Sequence, residues 1–98
     1  MLTTDKYKTA AAIAGTDDNS SAVVAEYITM PKSIRTAVTD QVRADMQAAG
    51  LTMEEYVAQN RKALRAMAEK NTMSLTTLVA FLMDRQEEDA AAGTEAHP

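Results

Sequence analysis

A weak internal repeat constrains the fold of this chain more than any other feature. The segment 42–58, VRADMQAAGLTMEEYVA, recurs in weaker form as 64–80, LRAMAEKNTMSLTTLVA. Each copy has the order of a helix end, a short break, a hydroxyl residue placed to cap, and the start of another helix. Three helices joined by two similar junctions are typical of a small binding module, so the repeat predicts a mostly all-α protein.

Apolar spacing and capping residues give the bounds of a three-helix core. The first helix is predicted at about 32–49, because Gly50 suits the position that follows a helix. Thr52 begins a capping box, which predicts a second helix at about 53–70. The third helix is predicted at about 74–88. The apolar stripe of the first helix consists of Ile34, Val38, Val42, Met46 and Ala49.

The segments outside these helices have weaker signals. Residues 1–22 are predicted to be a flexible N-terminal segment, residues 23–89 a helical domain and residues 90–98 a disordered tail. The stretch 24–30 fits two structures. Its apolar residues share one helical face, but its β-branched residues also favour a short strand. Pro31 ends either element.

Composition excludes several classes of function. No apolar run approaches the roughly 20 residues that span a bilayer, so we expect no membrane partner. The chain has no Cys, which fits a reducing compartment and predicts a cytoplasmic location. The single His, His97, lies in the predicted tail, and the sequence shows no nucleophile–base pair, metal-ligand cluster or phosphate-binding loop. We therefore predict a non-enzymatic protein without a metal or cofactor.

Charge is distributed unevenly along the chain. The net charge is −4, but residues 32–70 carry seven Lys and Arg against five Asp and Glu, an excess of two positive charges. Within this range Arg61 and Arg65 lie one helical turn apart. Lys62 and Lys70 extend the cluster. The cluster is either a solvated helix face or a surface that contacts phosphate.

The third helix, 74–88, is apolar around most of its circumference, which is typical of a helix buried on several sides. In a chain this short we expect such burial to need a second subunit, so a homodimer is predicted. The alternative is that the same helix docks against a different protein. The predicted interface residues are Leu75, Leu78, Val79, Phe81 and Leu82.

The second junction resembles a known DNA-binding motif. Residues 68–81, AEKNTMSLTTLVAF, are similar to the helix-turn-helix of repressors, with Thr72 standing where that family usually has Gly. The resemblance implies that Thr76 and Thr77 face bases or phosphates. The matching positions are Ala68, Met73, Ser74, Leu78 and Phe81.

A second resemblance covers more of the chain. The segments YITMP at 27–31, GLT at 50–52 and EYV at 55–57 are similar to ribbon-helix-helix repressors and plasmid-mobilisation accessory proteins. That family implies a dimer whose paired strands enter the major groove. Tyr27 and Thr29 would then read bases. The chain departs from the pattern because this segment lacks the basic or amide side chains common there.

The sequence therefore supports two functions of different classes. The first is a small DNA-binding regulator or accessory protein of the plasmid or phage kind, acting as a dimer on double-stranded DNA. Its phosphate contacts would be Arg61, Lys62, Arg65 and Lys70. The alternative is a helical protein–protein interaction module, such as an antitoxin, an inhibitor or an assembly adaptor. The apolar third helix and the acidic net charge favour this alternative.

Overall fold

The computed structural model of the protein describes residues 2–95, and every regular element within them is a helix. The prediction of a mostly all-α protein is therefore confirmed. The helices are α1 (Thr4–Ala14), α2 (Ser20–Thr29), α3 (Lys32–Ala49), α4 (Met53–Lys70) and α5 (Leu75–Glu95).

Local capping signals set most of the helix ends. At the start of α4, the Thr52 hydroxyl accepts a hydrogen bond from the Glu55 N–H, and the Glu55 carboxylate accepts one from the Thr52 N–H. This reciprocal pair is the predicted capping box. Gly15 and Gly50 end α1 and α3 in the left-handed conformation, each with a φ of 68°. Asn19 starts α2 by accepting a hydrogen bond from the Ala22 N–H.

α5 is the central helix, and each of the other four helices contacts it. α3 runs parallel to α5. Two contacts show the register, since Arg85 donates a hydrogen bond to Thr39 and Arg43 pairs with Asp89, both across 46 residues of sequence. α4 runs antiparallel to α5, because Met53 and Glu54 at its start line a groove with Gln86 in the second half of α5, and its end joins the start of α5 through the junction 71–74.

α1 also runs antiparallel to α5. Lys6 near its start pairs with Asp84, and Asp18 just beyond its end bonds Thr76 in the first turn of α5. Ala10 and Ala14 of α1 are fully buried. Their small side chains let the α1 backbone lie close to α5, so this helix belongs to the core although its sequence carries few large apolar residues.

The core surrounds the first half of α5, where every residue from 75 to 82 is buried. The expectation that this helix needs a second subunit is corrected here, because four helices of the same chain cover it. The large buried side chains that other helices contribute to this core are Val38 and Val42 of α3, and Met53, Val57 and Leu64 of α4.

The structure differs from the sequence predictions at both ends of the chain and at 24–30. The segment 24–30 is not a strand, because α2 covers residues 20–29. The predicted flexible segment 1–22 holds α1, which packs on the core. α5 continues to Glu95, through most of the predicted tail. Met1 and residues 96–98, including His97, lie outside the described residues.

α4 bends at Asn60, where φ is −129° and ψ is 24°. The Asn60 side-chain amide donates a 2.9 Å hydrogen bond to the Tyr56 carbonyl and so takes the place of a backbone donor in the helix ladder. The bend separates an N-terminal half, which packs through Met53 and Val57, from a C-terminal half that begins at Arg61.

Candidate binding surfaces

Two carboxylates from distant parts of the chain accept hydrogen bonds from residues near the start of α5. Glu26 of α2 accepts hydrogen bonds from the Ser74 N–H and hydroxyl, both at 3.0 Å, and from the Thr77 hydroxyl at 2.6 Å. Asp18 accepts from the Thr76 N–H at 3.1 Å and from its hydroxyl at 2.7 Å. Negative charge at a helix N-terminus is favourable, so these carboxylates cap α5.

The position of Thr76 and Thr77 therefore differs from the helix-turn-helix expectation. Both residues have no exposed surface, and both hydroxyls are bound by carboxylates of the same chain. α5, which stands where the recognition helix would be, is the buried centre of the fold. Neither threonine can reach a base or a phosphate in this structure.

Tyr27 and Thr29 lie on α2 rather than on a strand. The Tyr27 ring stacks on Phe81, with the ring centres 5.2 Å apart, and its hydroxyl donates a 2.5 Å hydrogen bond to Asp84. Burial, together with this hydrogen bond to a carboxylate, raises the pKa of Tyr27 to about 12. Thr29 is exposed and donates to the Ala25 carbonyl of its own helix. The ribbon arrangement is thus absent from the described residues.

The predicted interface on the third helix also lies inside the chain. Its five residues are at most 2% exposed, because α1 to α4 surround them. They form the core of a single subunit and offer no surface to a partner. The residues are Leu75, Leu78, Val79, Phe81 and Leu82.

The acidic second half of α5 forms ion pairs with cations from three helices. Lys6 pairs with Asp84 and Glu87, Arg43 with Asp89, and Arg85 with Asp40 at 2.8 Å and Glu88 at 3.3 Å. Burial disfavours the charged form of Lys6, but the hydrogen bond and charge of Asp84 outweigh that effect and raise the Lys6 pKa. Lys6, Arg43 and Arg85 are therefore all engaged in ion pairs within the chain.

The cations of α4 differ from these three in their ion pairing. Arg61, Lys62, Arg65 and Lys70 form no ion pair among residues 2–92, although Glu69 lies one turn from Arg65. Arg61, Lys62 and Arg65 fall within about 100° of one another around the helix, at about 100° per residue. We call these three residues the α4 basic face.

Lys70 lies apart from the α4 basic face. It follows Arg65 by five residues, which places it about 140° around the helix from Arg65 and about 7.5 Å further along the axis. It lines a shallow groove between α3 and α4 with Gln41 and Met67. Arg61, in contrast, lies over the end of α1, since a Cβ added at Gly15 would come within 2.8 Å of the Arg61 Nε.

A second surface lies at the α2–α3 corner. The large apolar side chains that remain exposed in the described part of the chain are Val24, at 40%, and Ile28, at 73%. A cleft of about 700 Å³ opens between α3 and α5. Lys32 and Arg35 line its α3 side, and Tyr27 lines the wall that α2 supplies.

Two further observations on the described residues concern metal ligands and membrane spans. They contain no group of three or more His, Cys, Asp or Glu side chains that could hold a metal ion. None of the helices described is both long and apolar enough to span a bilayer. Comparisons with protein-family models, curated proteins and solved structures found no match to this chain.

Proposed function

We propose that the protein is a small non-enzymatic DNA-binding protein that contacts the phosphate backbone of duplex DNA through the α4 basic face. The observation that carries the proposal is the difference between two sets of cations. Lys6, Arg43 and Arg85 all pair with carboxylates, whereas Arg61, Lys62 and Arg65 have no such partner in the described residues. Unpaired neighbouring cations on one helix face can each replace a counterion on DNA.

The geometry supports backbone contact rather than base recognition. The hydroxyls of Thr76 and Thr77 are buried, the Tyr27 ring stacks on Phe81, and the Thr29 hydroxyl is bonded to its own helix. Phosphate contacts position a protein on a duplex but carry no sequence information. An accessory protein that associates with DNA of any sequence therefore fits this surface better than a sequence-specific repressor.

Because the net charge of the chain is −4, only the α4 basic face attracts DNA phosphates, and this local attraction is sensitive to salt. Binding of this kind weakens linearly on a log–log scale as salt rises, with a slope of about −0.9 for each phosphate contact. Three contacts predict a shallow slope of about −3 and an affinity that is measurable only at low ionic strength.

The test compares the wild type with Arg61→Gln, Lys62→Gln and Arg65→Gln combined. Binding of a random fluorescent duplex is followed by anisotropy over a series of salt concentrations. The triple variant should lose the salt-dependent binding, because all three proposed phosphate contacts are gone. Arg61 and Lys62 are exposed and Arg65 is partly buried, and glutamine is a good helix former, so circular dichroism should show an unchanged helix content.

A matched control separates this surface from net charge alone. Lys8→Glu with Gln47→Glu also lowers the net charge by three, through one reversal and one added acid, at exposed positions on α1 and α3. The control should keep most of the binding. Wild-type protein that ignores the duplex at low salt, or a triple variant that binds as well as the control, would overturn the proposal.

A further inference from the structure

The two junctions of the internal repeat have the same backbone structure. In both, two consecutive N–H groups donate to the carbonyls three and five residues earlier, which is a Schellman motif. Gly50 and Thr72 occupy the same position of this motif, and both are in the left-handed region, with φ of 68° and 58°. The bonded pairs are Gly50 with Gln47, Leu51 with Met46, Thr72 with Glu69, and Met73 with Ala68.

Gly50 suits this backbone position, whereas Thr72 does not. Glycine has no Cβ and adopts a left-handed φ freely, but the branched side chain of a threonine there crowds its own backbone. Thr72 is the residue other than glycine that has a positive φ in the described part of the chain. Its hydroxyl donates to the carbonyl of the adjacent Asn71, and no hydrogen bond joins it to another helix among residues 2–92. Strained residues of this kind concentrate at functional sites.

Thr72 lies on the same side of α4 as the α4 basic face. At about 100° per residue, Arg61, Arg65 and Thr72 fall within about 40° of one another around the helix axis. Asn71, with a φ of −103° and a ψ of 19°, departs from the helical angles in opposite directions, so the chain stays close to the turn of the helix up to Thr72. Thr72 is exposed and lies about 10 Å beyond Arg65 along the axis. The acid between them, Glu69, is offset from Thr72 by about 60°.

We propose that the Thr72 hydroxyl donates a hydrogen bond to a phosphate of the duplex, on the strand that Arg61 and Arg65 contact. The inference rests on the proposed DNA binding and adds an uncharged contact to it. Threonine hydroxyls are common phosphate donors in protein–DNA complexes. The hydroxyl has only to turn from the Asn71 carbonyl to the phosphate, and a hydrogen bond to a charged acceptor is the stronger of the two. Glycine would relieve the strain but could not make this contact, which accounts for the difference between the two junctions.

The test separates the hydroxyl from the strain by three substitutions in the full chain. Thr72→Gly removes both, Thr72→Val removes the hydroxyl but keeps the branched side chain, and Thr72→Ser keeps the hydroxyl. Each variant is titrated with the random fluorescent duplex over a series of salt concentrations and is unfolded in urea. Thr72→Gly and Thr72→Val should bind about tenfold more weakly than the wild type, a loss typical of a hydrogen bond to a charged group. Thr72→Ser should bind as the wild type does.

Two readouts distinguish a phosphate contact from a structural role of Thr72. The salt slope should stay at about −3 in Thr72→Gly and Thr72→Val, because a hydroxyl releases no counterion, whereas loss of a cation would reduce the slope by about 1. Thr72→Gly should also unfold at a higher urea concentration than the wild type while binding DNA more weakly, a combination that damage to the fold cannot produce. As the matched control, Gly50→Thr should unfold at a lower urea concentration and keep the wild-type affinity.

Three results would contradict the Thr72 contact. In the first, Thr72→Gly and Thr72→Val bind as the wild type does while the triple variant of the α4 basic face does not bind, so DNA binding stands without this contact. In the second, Thr72→Gly unfolds at the same urea concentration as the wild type or a lower one, so the position carries no strain. In the third, the wild type ignores the duplex at low salt, and the proposed function falls together with the contact.

Discussion

Asp84 joins three helices at one carboxylate. One of its oxygens accepts from Lys6 of α1 and the other from the Tyr27 hydroxyl of α2, while Asp84 itself lies on α5. Both donors must keep their protons for these contacts to persist. Folding raises the pKa of Tyr27 and of Lys6, so proton loss from either group is harder in the folded chain than in the unfolded one.

This pair of shifts predicts that the protein loses stability in alkaline solution. A group whose pKa is raised by folding stabilises the fold below its unfolded pKa and loses that effect as pH rises through the folded pKa. For Tyr27 the window runs from the ordinary value of 10.0 to about 12. Thermal unfolding at pH 8 to 11 should therefore show a melting temperature that is level at first and falls above about pH 10.

Tyr27→Phe tests the assignment of this effect. The variant keeps the ring stack on Phe81 but has no hydroxyl, so its melting temperature should fall less steeply above pH 10 than that of the wild type. The decline that remains would come partly from Lys6. An ultraviolet titration of the folded protein should also lose its highest-pH tyrosine component. If the variant instead lost a component that titrates at the ordinary pH of about 10, the hydrogen bond to Asp84 would not control the pKa of Tyr27.

At the scale of helices, the end of α1 lies against the α4 basic face. Gly15 ends α1 in the left-handed conformation, and the Arg61 guanidinium lies over it. Gly50 ends α3 with the same φ of 68°, but a Cβ there would meet nothing within 4 Å. The chain thus offers two glycines with matched backbones and different neighbours.

Gly15→Ala and Gly50→Ala should destabilise the protein by similar amounts. Each places a Cβ in the left-handed region, at a cost of about 1 kcal/mol that urea unfolding can measure. Only Gly15→Ala should also displace Arg61, because the flexible guanidinium can move away from the new methyl group. DNA affinity should therefore fall in Gly15→Ala and not in Gly50→Ala. Equal affinities would mean that the observed Arg61 position does not matter for binding.

Sequence signals that act over a few residues were enough to predict α3 and α4. α3 and α4 have the predicted bounds because Gly50 and the Thr52 capping box act within a few residues. α2 could not be assigned in this way, since its pattern suits a strand equally well. In the structure the helical α2 makes two long-range hydrogen bonds. Glu26 bonds Thr77 across 51 residues of sequence, and Tyr27 bonds Asp84 across 57.

The candidate site residues also fall into two groups, those that local spacing places and those that tertiary contacts place. The positions of Arg61, Lys62 and Arg65 on one helix face follow from their spacing alone. The burial of Thr76 and Thr77 depends on Asp18 and Glu26, and no local pattern connects these acids with α5. The packing of α1 was missed because Ala10 and Ala14 contribute through small size, which an apolar periodicity does not detect.

At the scale of the whole molecule, the position of α5 explains how a chain of this length supports a core. A helix that is apolar on all sides needs neighbours all round, and α1 to α4 supply them within one subunit. The radius of gyration is 13.1 Å, close to the about 13 Å expected of a single folded domain of about 100 residues. Neither observation calls for a second subunit.

We therefore expect the protein to fold as a monomer. Its mass in sedimentation equilibrium should be 10.6 kDa, and its melting temperature should not change with protein concentration, since subunit association would link the two. Leu78→Ala, at a fully buried site on α5, should cost about 2–5 kcal/mol without changing the mass. A dimer whose melting temperature rises with concentration, and which Leu78→Ala dissociates, would show instead that a second subunit completes the core around α5.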